Sequence, residues 1–196
     1  MRLPDLVRRH PAVSGFTAAH LVVFTVIGIA LERPFVWVYL PLMAASIAAV
    51  MVIDRRAGPL PGAVLWALSA WGLMHLAGGL LGDPSGRSSI LYNWWLVDGW
   101  VRYDQVVHGY GIAVVTIALA HSARRSDRPV LRGFAWGQAI GVGNEVVENV
   151  FARLVEGSNV GDAVNTAWDL AWHLVGGAAA VVWMVRAGFP AISDRE

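Results

Sequence analysis

The chain has 196 residues, of which 56% are apolar and only 15% charged, and its mean hydropathy is +0.52. Its 15 basic residues, all Arg, against 14 acidic ones leave a net charge of +1, and there is no Cys. This excludes a disordered chain, disulfides, thiolate metal sites and a Cys nucleophile; it argues against a water-soluble globule and against nucleic acid as a partner.

Apolar stretches of this length read as membrane-spanning helices. The first covers residues 15–31 and breaks at Arg33-Pro34. Its basic lead (Arg2, Arg8, Arg9) is followed by no small-residue cleavage site, so it reads as retained. The second covers 35–53 and stops at Asp54-Arg55-Arg56. Pro59 and Pro61 mark the next turn, and Pro61 suits a helix start. The third covers 62–81 and ends before Gly82-Asp83-Pro84-Ser85-Gly86, a strong turn signal. The fourth, 104–121, stops at Arg124-Arg125. The fifth covers 130–154 and the sixth 162–185, and these last three are less apolar than the first two. The expectation is one all-α domain over residues 1–196, a polytopic transmembrane bundle of about six spans.

Arg placement sets the topology. With both termini cytoplasmic, eleven Arg fall on the inner side and four (Arg33, Arg87, Arg102, Arg153) on the outer side. The longest connection, 82–103, then lies outside. Its Tyr92, Trp94, Trp95, Trp100 and Tyr103 suit the headgroup zone, so it reads as an interfacial anchor, with a lid as the sharper alternative.

The polar residues at membrane depth carry the interest. His75 comes late in the third span, Asp104 and His108 open the fourth, Glu145 and Glu148 come late in the fifth, and Asp162, Asn165, Asp169 and His173 come early in the sixth. Because successive spans alternate in direction, all four groups fall in the outer half of the bilayer. Asp104/His108 and Asp169/His173 are i, i+4 pairs and Glu145/Glu148 is i, i+3, so each pair shares a helix face. Left unpaired, Glu145, Glu148 and Asp169 would cost on the order of 5–10 kcal/mol to insert.

Carboxylates and imidazoles from facing helices are how bundles build metal sites, and this ligand set suits Zn, Fe, Mn or Mg. The expected site comprises Asp104, Glu145, Glu148 and Asp169 as ligands or acid/base groups, His75 and His108 as ligands or bases, and His173 as a further ligand. A carboxylate orienting an imidazole base, or a proton or cation path, uses the same residues. Bland readings stand beside these: His20 as a lone structural histidine, His121 as a helix-end charge, Asp104 paired with Arg102, and the Glu pair held by an Arg from another span. Gly133, Gly137 and Gly141, with Gly78-Gly79 and Gly176-Gly177, read as close-packing positions.

His75-Leu-Ala-Gly78-Gly79, Tyr103-Asp104-Gln-Val-Val-His108, Glu145-Val-Val-Glu148 and Gly161-Asp162-Ala-Val-Asn165-Thr166-Ala-Trp168-Asp169 resemble, in this order, the YjdF-type bacterial inner-membrane proteins. The resemblance covers roughly the second half of the chain. More distantly, Asp104/His108, Glu145/Glu148 and Asp169 with Gly176 resemble the VanZ-like proteins, which are associated with glycopeptide resistance. Asn165 departs from the first pattern, which has an acid there, and Asn149 stands where an aromatic is common. The resemblance implies a multi-pass protein of the bacterial plasma membrane and no particular reaction.

Three function classes follow. The first is a membrane protein whose outer-leaflet site binds a divalent metal and acts on a lipid or envelope-linked substrate. The second is a transporter or proton-coupled channel; Gln138 is a rare polar side chain in the inner halves of the last four spans, which counts against a through-route. The third is a non-catalytic scaffold. Oligomers suit any of them.

Overall fold

The computed structural model describes residues 3–33, 35–154 and 162–189; Arg2, Pro34 and Gly161, named above, and Arg195, one of the eleven inner-side Arg, lie outside the described residues. The described residues are mostly helical, 78%. The helices are α1 (Leu3–Arg9), α2 (Pro11–Ala30), α3 (Val36–Ala57), α4 (Gly62–Leu80), α5 (Tyr103–Ser122), α6 (Pro129–Leu154) and α7 (Ala163–Arg186). By contact the chain divides into two compact units, Met1–Val107 and His108–Glu196.

The helix bounds follow from sequence punctuation. Pro11 begins α2, where its missing N–H costs nothing. Gly58, at φ 90°, ends α3 in a conformation that side chains resist. Asp162 caps α7: its Oδ1 accepts from the backbone N–H groups of Val164 and Asn165, both at 3.0 Å. The sequence set Asp162 inside the sixth span together with Asn165, Asp169 and His173; the structure makes it an exposed cap outside the helix.

Among the described residues four helices, α2, α3, α4 and α7, are long and apolar enough to cross a bilayer. Helices α5 and α6 have the length, but their polar residues dilute the apolar run. Large apolar side chains point outward: Val22 and Val26 on α2, Trp37 on α3, Val146 and Val147 on α6, and Leu174, Val175 and Trp183 on α7 are all exposed. Apolar patches of this extent are not tolerated against water, and their natural solvent is lipid.

In the first unit, Val36, Tyr39, Leu76 and Leu80 form a buried cluster against Leu21, Phe24 and Tyr92. Arg9 pairs with the buried Asp54, whose Oδ1 also accepts the N–H of Leu60 at 2.9 Å. That joins α1, the end of α3 and the turn before α4. The 82–103 connection contains regular structure of its own. After one 3₁₀ turn at Leu91–Asn93, strand β1 (Trp95–Val97) pairs antiparallel with β2 (Val101–Arg102). The Arg102 guanidinium lies 4.5 Å over the Trp95 ring.

In the second unit, close contact replaces large side chains. Among the described side chains of α6 the buried positions are Pro129, Gly133, Gly137, Gly141 and Glu145, one every four residues. A Cβ on Gly133 would strike Ala120 and the Thr116 carbonyl, and one on Gly137 would strike the Thr116 hydroxyl. Gly176 of α7 rests on the backbone carbonyl of Gly109 in α5, leaving no room for a Cβ. Gly78 and Gly79 act differently: they make room for the rings of Tyr92 and Tyr39, not for another helix backbone.

A candidate metal centre

Three helices of the second unit each bring one donor to a common point. His108 comes from the second turn of α5, Glu145 from the α6 stripe that also holds Gly133, Gly137 and Gly141, and His173 from α7. All three are buried, at 5%, 3% and 2% exposure. His108 Nδ1 and His173 Nε2 share a hydrogen bond at 2.8 Å. Glu145 Oε1 lies 3.4 Å from His108 Nδ1 and 3.8 Å from His173 Nε2.

These spacings can be compared with a coordination shell. An ion about 2.1 Å from each donor holds adjacent donors about 3.0 Å apart in an octahedral shell and about 3.4 Å apart in a tetrahedral one. The observed 2.8, 3.4 and 3.8 Å bracket both values. Two imidazoles and one carboxylate suit Zn or Fe, and leave coordination positions for water or substrate. The donor set therefore fits a divalent ion and is a poor match for Mg, which prefers oxygen.

Polar neighbours on the same helices surround the three donors. Asp169, fully buried, lies one turn before His173 on α7, and it and His108 offer ligand atoms within 4.8 Å of one another. Asn165 Nδ2 donates to Asp169 Oδ2 at 2.5 Å. Gln138 Nε2 donates to the His173 backbone carbonyl at 3.1 Å. Asn149 Nδ2 donates to the Glu145 carbonyl at 2.8 Å and to the Thr166 hydroxyl at 3.2 Å, tying α6 to α7. Glu148 is half-buried and accepts from Asn144 Nδ2 at 2.6 Å, one turn back along α6. Such outer-shell bonds fix the orientation of ligands. Asn144 has no place in the sequence-based expectation, and Gln138 and Thr166 enter it only as a rare inner-half polar residue and as part of a motif; for Asn144 the four-residue interval to Glu148 was the available signal.

The remaining expected site residues lie in the first unit. His75 Nδ1 meets the Tyr92 hydroxyl at 2.5 Å, and the Tyr39 hydroxyl donates to the same oxygen at 3.0 Å. Asp104 sits in the first turn of α5, one turn before His108. His20, read as a lone structural histidine, is buried edge-on to Phe16, and His121, read as a helix-end charge, shares a hydrogen bond through Nε2 with Arg124 Nη1 at 3.0 Å near the end of α5.

A polar centre enclosed by helices with apolar exteriors defines an integral membrane protein. The chain belongs to the family described as "Predicted membrane protein (DUF2238)", which matches residues 12–188. No curated protein and no solved structure matches the chain.

Proposed function

We propose that the protein is a six-span, multi-pass protein of the bacterial inner membrane in which His108, Glu145 and His173 hold one divalent metal ion, and that this centre acts on a lipid or envelope-linked substrate. The observation carrying the reading is the coordination-like spacing of three buried donors from three different helices. The excess of Arg in segments 1–14, 54–61, 122–129 and 186–196 supports cytoplasmic termini. The order of the His75, Tyr103, Glu145 and Gly161 motifs supports kinship with the YjdF-type proteins.

A divalent ion at this point supplies a Lewis acid for hydrolytic chemistry. The chain's own groups do the rest. Asp169 takes and returns a proton beside His108, and Asn165 holds its carboxylate in place. The apolar exterior of α6 and α7 admits a substrate with an acyl or isoprenoid tail from the bilayer. Purified protein should carry about one zinc or iron per chain by elemental analysis. His108→Ala and Glu145→Gln should each lose it, whereas Asp169→Asn should keep the metal and lose turnover. Substoichiometric metal after loading, or full metal in both ligand variants, refutes the reading.

The 2.8 Å contact between two imidazoles favours one rival, a proton relay through His108 and His173. That reading predicts a pH-driven proton flux in proteoliposomes that persists in the presence of chelator.

A further inference from the structure

The end of the second unit where α6 starts and α7 finishes is strongly basic. Arg124, Arg125, Arg128, Arg132 and Arg186 stand there against one acid among the described residues, Asp127. Asp127 is engaged by Arg132 at 3.3 Å, and Arg124 is engaged by His121. Arg128 and Arg186 are each the one charged residue lining an apolar groove. The first groove, about 550 Å³, runs between α6 and α7 along Val130, Phe134, Ala178 and Val181. The second, about 530 Å³, runs along Ala179 and Trp183 of α7. They share one wall residue, Val182.

We propose that this forked surface binds one anionic glycerophospholipid, with its phosphate at Arg128 and Arg186 and an acyl chain in each groove. The charge of these arginines selects an anion, and the apolar walls select hydrocarbon. The same two helices carry exposed Trp136, Ile140, Leu174 and Val175, apolar exteriors whose natural solvent is lipid, so the occupant comes from the bilayer. Basic pockets between membrane helices are known to recognise such headgroups. This site is separate from the metal centre, and its existence does not depend on that reading.

The test is native mass spectrometry of delipidated, detergent-purified protein titrated with phosphatidylglycerol or phosphatidylcholine of matched chains. Wild type should retain phosphatidylglycerol in preference to phosphatidylcholine, with one tight site. Each arginine removed should weaken the anionic lipid about fivefold, so the double variant R128Q/R186Q should lose about 25-fold while phosphatidylcholine binding is unchanged. Val182→Trp, which fills the fork without changing charge, should also lose the tight site. Equal retention of the two lipids by wild type, or undiminished phosphatidylglycerol in R128Q/R186Q, overturns the proposal. Complete displacement by inorganic phosphate also overturns it, because the grooves would then contribute nothing.

Discussion

Gly141 offers the sharpest probe of the metal centre, because it touches a ligand from behind. A Cβ added there would stand 2.6 Å from His173 Nδ1 and 3.0 Å from its Cγ. Ordinary contact begins at 3.4 Å, so the imidazole must retreat by about 0.8 Å. That displacement is large against the 2.8 Å separation of His173 Nε2 from His108 Nδ1. Misplacing a ligand in this way should weaken metal binding roughly 10–100-fold, as loss of ligand orientation does elsewhere, and overpacking should cost about 1–3 kcal/mol of stability. Gly143→Ala is the matched control: it lies two residues on in the same helix, with nothing within 4 Å of its added Cβ. It should bind metal as wild type does and gain about 0.5–1 kcal/mol from helix propensity. Chelator competition on the purified protein measures the affinity, and thermal unfolding measures the stability. Wild-type affinity in Gly141→Ala, or an equal loss in Gly143→Ala, would refute the reasoning.

Gly176→Ala should destabilise the second unit by about 2–3 kcal/mol, because the obstacle is the Gly109 backbone, which cannot rotate aside; thermal melts check it. Asp162→Ala should cost about 1 kcal/mol by loss of the α7 cap and leave metal content unchanged; elemental analysis beside the melt separates cap from ligand. The Ser85 hydroxyl and N–H, donating at 2.7 Å, hold the Asp83 carboxyl below its ordinary value of 3.8. A group lowered on folding stabilises above its unfolded value and ceases to do so as pH falls through the folded one. Asp83→Asn should therefore melt below wild type at neutral pH, and the gap should close below about pH 4; a gap that persists in acid counts against this account.

The helices were legible because punctuation in this chain is strong. The 62–81 span became α4 at Gly62–Leu80, and the 130–154 span became α6 at Pro129–Leu154. Helix α1 was not legible: it has only seven residues and reads simply as a basic lead. The β1–β2 hairpin was hidden for a related reason. Only five residues form its strands, and an aromatic run suits a membrane interface in any backbone conformation. Helical spacing put Asp169 and His173 on one face, but periodicity gives no information about which groups on other helices that face will meet. His75 and His108 look alike as intramembrane histidines in the sequence. The structure gives one a tyrosine hydroxyl and the other a second imidazole and a carboxylate.

The four-residue interval along α6 has a geometric consequence. Four residues overshoot one helical turn by about 40°, so a stripe with that period winds slowly around its helix. At Gly133 and Gly137 the stripe looks at α5; one step later, at Gly141, it has swung to α7. Glu145 is the next step, and there the winding brings a carboxylate between the histidines of both neighbours. The pitch mismatch between sequence period and helix thus steers a single side chain into a three-way junction, and inserting or deleting one residue between Gly133 and Glu145 would turn that carboxylate by about 100° away from it.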